Sequence, residues 1–281
     1  MLKEIGIIGD DLRINYLKKM YKDEGFEVIE SYKYCDTVIT SIPFSRDGVY
    51  LTNTDIKIND VIEYIKSKNE KNKELDNNSI DNKLRKTITI ISGSISSEMR
   101  NKLENNSIKY IDILEFEDIA ILNSIPTAEG AIFTAMSKTT TTLCNSKCLV
   151  LGYGRIGKVL SKMLNGIGSD VYVEARKESD LALINAMGYN CVDLNKLDIY
   201  LDKFDYIFNT IPTEILNKKR LDNVKKEVCI IDLASKYGFD YEYAKTLGLN
   251  STIALSLPSK VAPQSAAKYL KAKIDIIVKE C

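Results

Sequence analysis

The stretch Cys148–Leu160, CLVLGYGRIGKVL, decides the architecture of this chain. Its first four residues are apolar without interruption, the pattern of a strand buried on both faces. Gly152, Gly154 and Gly157 follow at G-x-G-x-x-G spacing, and Lys158–Ile167 continues as an amphipathic helix. Gly152 permits the tight turn, Gly154 lets backbone approach a ligand closely, and Gly157 allows close helix–strand packing. N–H groups and the dipole at the start of that helix favour a phosphate. The turn, with Tyr153, Arg155 and Ile156 between its glycines, is expected to hold a dinucleotide pyrophosphate.

Working outward, Asp170–Val173 reads as the next strand, Leu181–Met187 as the next helix, and Tyr206–Ile211 and Val228–Leu233 as later strands. Open α/β sheets bind ligands beyond the carboxyl ends of their strands. Asn209, Thr210, Ile211 and Pro212, and then Asp232, Ala234 and Ser235, are therefore expected on the cofactor side. Pro212 stops its strand, while small Ala234 and Ser235 leave room for a flat ring. Asp232 either orients a ribose hydroxyl or caps the turn after it. The second strand ends VEARK at residues 173–177. If it stops at Ala175, Arg176 and Lys177 stand at its mouth and suit a 2′-phosphate, because guanidinium binds phosphate oxygens in pairs. If Glu174 is the terminal acid, it accepts ribose hydroxyls and NAD is favoured. The reading favours NADP(H), with NAD(H) the alternative.

The first half alternates in the same way. Leu2–Gly9 is a strand and Asp11–Glu24 a helix with Leu12, Tyr16, Leu17, Met20 and Tyr21 at helical spacing; Phe26–Ser31, Thr37–Ile42 and Thr87–Ser92 are strands. The fold expected is α/β with two domains. A smaller flavodoxin- or Rossmann-like domain covers residues 1–125, and a Rossmann-type, doubly wound parallel sheet covers 126–262. Pro126 and then Glu129 read as a helix start, so an interdomain helix is expected over 127–142. Residues 263–281 form a terminal helix expected to pack back near the first domain. Ser67–Lys86 is almost wholly Lys, Asn, Asp and Glu, a solvated helix or a loop to which no function is given.

Composition removes whole classes of activity. With 39 basic and 39 acidic residues among 281, the chain has no net charge to hold nucleic acid or an anionic membrane. No apolar run approaches the roughly 18 residues of a membrane span, and the charged N-terminus MLKEIGIIGDDLR is unlike a secretory signal. A soluble cytoplasmic protein is expected. The chain contains no histidine, which excludes Ser-His-Asp and Cys-His catalysis, HExxH zinc sites and histidine-assisted hydride transfer. Its six cysteines, Cys35, Cys144, Cys148, Cys191, Cys229 and Cys281, form no CxxC pair, so no metal is expected.

Several motifs together resemble the dipicolinate synthase A-chain family of spore-forming bacteria, the larger of that enzyme's two components, over nearly the whole length. They are IGDDLR at Ile8–Arg13, ISGSIS at Ile91–Ser96, FEDIAILNSIPTAEGAI at Phe116–Ile132, LVLGYGRIGKVL at Leu149–Leu160, NTIPTEIL at Asn209–Leu216, IDLASK at Ile231–Lys236 and LPSKVAP at Leu257–Pro263. The resemblance implies a two-domain architecture like that of 2-hydroxyacid dehydrogenases. It also implies NAD(P)-dependent oxidation of dihydrodipicolinate to pyridine-2,6-dicarboxylate in the mother cell during sporulation. The partner it implies is the flavoprotein-like second component of dipicolinate synthase. A homo-oligomer is compatible with it. Two segments depart from the family pattern: Lys236-Tyr237-Gly238-Phe239 stands in place of Arg-Pro-Gly-Gly, and Ser259 in place of a glycine.

Oxidising a dihydropyridine removes a hydride and a proton and yields an aromatic ring, so no strong base is required. A substrate with two carboxylates needs donors and a cation. Arg13 is expected to pair with one carboxylate, with Ser41 and the Ser92, Gly93, Ser94 turn supplying donors. Thr127, beside the expected helix start, is assigned to the other carboxylate or the ring edge, and Glu129 to the proton. Lys260 and Arg155 are further cations. The competing functions are another two-domain dehydrogenase of a small carboxylate and a non-catalytic dinucleotide-binding scaffold.

Overall fold

The computed structural model describes residues 3–76 and 88–280. The chain separates into two compact units, Met1–Ala120 with Pro263–Cys281, and Ile121–Ala262.

The first unit runs β1 (Lys3–Ile8), α1 (Leu12–Asp23), β2 (Phe26–Ile29), β3 (Thr37–Thr40), α2 (Ile58–Asp76), β4 (Thr89–Ser92), α3 (Ser97–Asn105) and β5 (Lys109–Asp112). All strand pairs are parallel, in the order β2-β1-β3-β4-β5, the flavodoxin-like order. Period-two alternation in β1 sends Ile5 and Ile7 to one face, with Ile14, Leu17 and Tyr21 of α1. Ile8 lies on the other face with Val61 and Ile65 of α2 and Leu103 of α3. Asp11 starts α1 by accepting a hydrogen bond from the Ile14 amide at 3.0 Å. Of the polar run 67–86, residues 67–76 continue α2, and the remainder lies outside the described residues.

The second unit begins within α4 (Glu117–Lys138) and continues β6 (Lys147–Leu151), α5 (Arg155–Ile167), β7 (Asp170–Ala175), α6 (Glu178–Ala186), β8 (Asn190–Asp193), β9 (Tyr206–Asn209), α7 (Lys218–Leu221), β10 (Cys229–Asp232), α8 (Tyr241–Thr246), β11 (Asn250–Ile253) and α9 (Leu257–Val261). Its parallel order is β11-β10-β9-β6-β7-β8. Renumbered within the unit this is the doubly wound 3-2-1-4-5-6 sheet, whose order reverses between β6 and β9. Cys148, Leu149, Val150 and Leu151 have no exposed surface, as an unbroken apolar strand in a covered parallel sheet requires. Burial pushes the Cys148 thiol up to about 12 and that of Cys229 up to about 11, so both behave as small apolar side chains.

The structure corrects the reading of the helix around Pro126. Pro126 does not open it; α4 starts at Glu117, with Glu117 and Asp118 in its first turn, and Pro126 lies inside it. An internal proline removes one backbone bond, which is tolerated here because Ala128, Ala131 and Ala135 pack into the core of the second unit. At Gly130 an added Cβ would lie 2.8 Å from Leu257 Cβ, so the NSIPTAEG and LPSKVAP motifs meet in one tight contact. The helix stops at Lys138 rather than Thr142, where Thr139 and Thr141 turn to hydrogen-bond the Tyr206 hydroxyl, each at 2.9 Å. By length and composition alone α4 could cross a bilayer, contrary to the expectation that no such stretch exists; its alanine face is core.

The final helix, α10 (Pro263–Glu280), packs on α1. Lys271 reaches Glu24 at 2.6 Å and Asp275 at 2.7 Å while lying over the Tyr21 ring. Ala267, Leu270, Ile274 and Ile277 complete the apolar layer that Ile5 and Ile7 begin.

Candidate functional site: a dinucleotide turn and an enclosed guanidinium

At the carboxyl end of β6 the chain turns at Gly152, whose φ of +92° is in the left-handed region. A Cβ there would meet Thr210 Oγ1 at 2.7 Å, and one on Gly157 would meet the Gly152 carbonyl oxygen at 2.0 Å. Both glycines are thus required by the protein's own packing, Gly152 against the Thr210 and Ile211 side chains and Gly157 against backbone. Gly154 differs: nothing lies within 4 Å of its notional Cβ. It is also the N-cap of α5 and has no side chain to bond the first-turn amides. Open space over an uncapped helix start is what a diphosphate needs, so these residues fit a nicotinamide dinucleotide. Tyr153 faces inward with the core and Ile156 packs beside it. Arg155 is exposed.

The strand β7 ends at Ala175, and the VEARK side chains around that end take different positions. Glu174 has no exposed surface, and its Oε2 accepts the Gly152 N–H at 3.2 Å. Burial raises its pKa, opposed by the Gly152 hydrogen bond and by Arg176 and Arg220. Ala175 is buried, while Arg176 and Lys177 are exposed beyond the strand. The acid therefore sits beneath the turn and the two cations stand outside it.

Asn209, expected as a cofactor contact, is turned inward by the structure, and of the two roles open to Asp232 the structure bears out the cap on the turn after it. Both are fully enclosed. Asn209 Nδ2 donates to Asp232 Oδ1 at 2.8 Å and to the Ile211 carbonyl at 3.0 Å. Asp232 Oδ1 also accepts the Ala234 amide at 3.1 Å, and its Oδ2 accepts the Gly238 amide at 2.8 Å. One carboxylate thus clamps both ends of a short arch, leaving Ser235, Lys236 and Tyr237 exposed at its crest. In the sequence Lys236 and Tyr237 stand out only as departures from a family pattern. The signal that marks them is Gly238, where an added Cβ would lie 1.8 Å from Asn209 Nδ2. The Thr210 hydroxyl is spent on the Leu151 carbonyl at 2.8 Å, Ile211 is half-buried, and Pro212 is exposed. Ala234 is buried beneath the arch.

In the first unit Arg13 is 5% exposed, so it is no surface helix residue. One terminal nitrogen donates to the Ile42 carbonyl at 3.1 Å and lies 3.6 Å from Asp11. Its Nε has no partner among the described residues, nor have the hydroxyls of buried Thr40 and Ser41. Desolvation lowers the Arg13 pKa while Asp11 opposes the shift. These groups lie at the carboxyl ends of β1 and β3, the ligand-binding edge of such a sheet. The Ser92–Ser94 turn is less available than expected. Ser92 donates its hydroxyl to the Ser41 carbonyl at 3.0 Å, and the Ser94 amide donates to Asp112 at 3.1 Å. Gly93 is buried, its notional Cβ 2.8 Å from Leu114.

Thr127 and Glu129 lie in mid-helix, so no helix-terminal dipole acts beside them, in correction of the expected site. Thr127 returns its hydroxyl to the Asn123 carbonyl at 2.8 Å, and Glu129 is exposed. Lys260 is exposed at the end of α9.

Residues 126–235 match the family "D-isomer specific 2-hydroxyacid dehydrogenase, NAD binding domain". With the sheet order and the open glycine turn, this defines the second unit as a domain similar to the NAD-binding domain of 2-hydroxyacid dehydrogenases. The finer resemblance is also borne out. The chain is 36% identical over 182 residues to the dipicolinate synthase A chain of Bacillus subtilis, and the match spans 64% of this chain and 61% of that protein. The crystal structure of the dipicolinate synthase A chain from Bacillus halodurans superimposes with a TM-score of 0.82 at 25% identity, covering 99% of this chain and 97% of that one. The crystal structure of the Bacillus subtilis A chain gives 0.83 at 24% identity, covering 100% and 97%.

Proposed function

We propose that this chain is the oxidising component of a dipicolinate synthase, converting dihydrodipicolinate to pyridine-2,6-dicarboxylate with NADP⁺ as hydride acceptor. The observation that carries the cofactor choice is the end of β7, where Glu174 is enclosed and Arg176 and Lys177 are exposed. An enclosed carboxyl cannot accept ribose hydroxyls, whereas exposed guanidinium and ammonium groups suit a 2′-phosphate. The substrate assignment rests on the chain-long likeness to dipicolinate synthase A chains. Arg13 supports it, since an enclosed guanidinium with an unpartnered Nε gains a partner if a carboxylate binds there.

The residues that would hold the cofactor are Gly152–Gly157, through backbone N–H groups, and Arg176 with Lys177. The chemistry that a bound nicotinamide would supply there is acceptance of a hydride from the ring. The accompanying proton leaves to solvent; the chain has no histidine, and aromatisation supplies the driving force. What the chain's residues supply is orientation and charge pairing. A small flavoprotein-like second component is proposed as partner, because the relatives are named as one part of a synthase with more than one kind of chain.

The test is reconstitution with an enzyme that forms dihydrodipicolinate, with and without that second component, comparing NAD⁺ and NADP⁺. Dipicolinate absorbance should rise only when substrate and NADP⁺ are both present. Binding of NADP(H) without turnover under every combination would instead identify a dinucleotide-binding scaffold.

A further inference from the structure

Glu174 stands where an acid at the end of the second strand is expected to meet a ribose, yet it points beneath the glycine turn with no exposed surface. Its only side-chain hydrogen bond among the described residues is from the Gly152 amide to Oε2, and Oε1 has no partner. The same amide also donates to the Glu174 main-chain carbonyl, likewise at 3.2 Å. One residue thus holds the Gly152 peptide by two acceptors, at the position where φ is +92° and rotation is least restricted for glycine. Burying a carboxyl for a single hydrogen bond costs free energy. An unbranched apolar side chain would fill the same volume without that cost, so packing alone does not account for Glu174.

We infer that Glu174 is a positioning residue for the pyrophosphate turn. Its Oε2 fixes the Gly152 peptide from below and so keeps the amides of the turn and of the α5 start directed at a diphosphate. The inference rests on the dinucleotide reading of the site. It assigns Glu174 no contact with ribose, and it separates the duties of neighbours on one strand end: Glu174 shapes the turn, and Arg176 meets the 2′-phosphate. Glutamine preserves the acceptor, whereas methionine preserves only the volume.

The experiment compares the full chain with Glu174→Gln and Glu174→Met, titrating NADPH and, separately, 2′-AMP, which carries the adenine-side phosphate but no diphosphate. Unfolding midpoints are recorded for each. Glu174→Gln should keep NADPH affinity within about twofold, while Glu174→Met should weaken it about tenfold or more and leave 2′-AMP unchanged, as expected for loss of one buried hydrogen bond acting on the diphosphate alone. Equal NADPH affinity in all three proteins overturns the inference. So does a Met variant that loses NADPH and 2′-AMP in parallel with its folding midpoint, which marks a purely structural role. Failure of the unaltered chain to bind any nicotinamide dinucleotide overturns the site reading itself, and is seen before any variant is made.

Discussion

Asn209 and Asp232 lie opposite each other on adjacent strands β9 and β10, joined by a 2.8 Å hydrogen bond with neither side chain exposed. Their contacts hold the two loops that leave the carboxyl edge of the sheet there. Asp232→Ala should destabilise the protein by about 3 kcal/mol, because the Ala234 and Gly238 amides and the Asn209 side chain all lose an enclosed acceptor. Gly238→Ala should be comparably harmful, since its Cβ would overlap Asn209 Nδ2. Urea titration measures both; near-native midpoints would show that the arch does not depend on the clamp.

The three glycines of the turn should separate into two behaviours. Gly157→Ala places a Cβ 2.0 Å from the Gly152 carbonyl oxygen, and is expected to lower stability by more than about 2 kcal/mol as well as abolish cofactor binding. Gly154→Val extends into open space, so the folded state should survive with an unfolding midpoint near that of the unaltered chain while NADP(H) binding disappears. Retained binding in Gly154→Val would remove the diphosphate from this turn.

Arg176→Ala should weaken NADP(H) by about tenfold to a hundredfold and NAD(H) by less than about twofold, the scale of a charge-assisted phosphate contact. Equilibrium titration of both cofactors against both proteins decides it. Equal losses would show that Arg176 does not discriminate the 2′-phosphate.

Stability should depend on pH through Glu174. Desolvation by burial raises its folded pKa, with Asp193 adding to the rise and the Gly152 amide, Arg176 and Arg220 opposing it. In the unfolded chain the same carboxyl loses its proton in the ordinary carboxylate range. Between that range and its raised folded pKa the native state binds the extra proton, so the Glu174 contribution is full below the window and declines as pH rises through it. Glu174→Gln should flatten that part of the profile. Unfolding free energies measured across roughly pH 4 to 8 test this, a span that starts at the ordinary carboxylate range; identical slopes in the two proteins would contradict it.

Tyr21→Phe removes the hydroxyl that donates to Asp275 at 2.8 Å, one of the ties between α1 and α10. A loss of about 1 kcal/mol is expected, with no change in cofactor affinity, measured by thermal unfolding alongside NADPH titration.

Much of this protein is legible from its residues in order. Unbroken apolar runs such as CLVL, glycine spacing and caps such as Asp11 act over a few residues, and they specify the parallel α/β class, the glycine turn after β6 and the motifs by which the chain resembles dipicolinate synthase A chains. The edge strands β5, β8 and β11 are not legible, because each is four residues long and only half covered, which leaves little periodic signal. Pro126 misleads because a proline marks a helix start in isolation, whereas packing of the alanine face carries α4 straight through it.

What the order of residues could not decide is which of two neighbours on a strand end faces solvent. Glu174 and Arg176 share a parity, and only the pairing of β7 with β6 sends one under Gly152 and the other outward. Nor could it tell a ligand contact from a clamp. Asn209 and Asp232 are 23 residues apart, and their roles follow from long-range strand pairing, which brings them close enough to satisfy each other. Local chemistry specified the elements; burial and hydrogen-bond partnership, which exist only after those elements assemble, assigned the tasks.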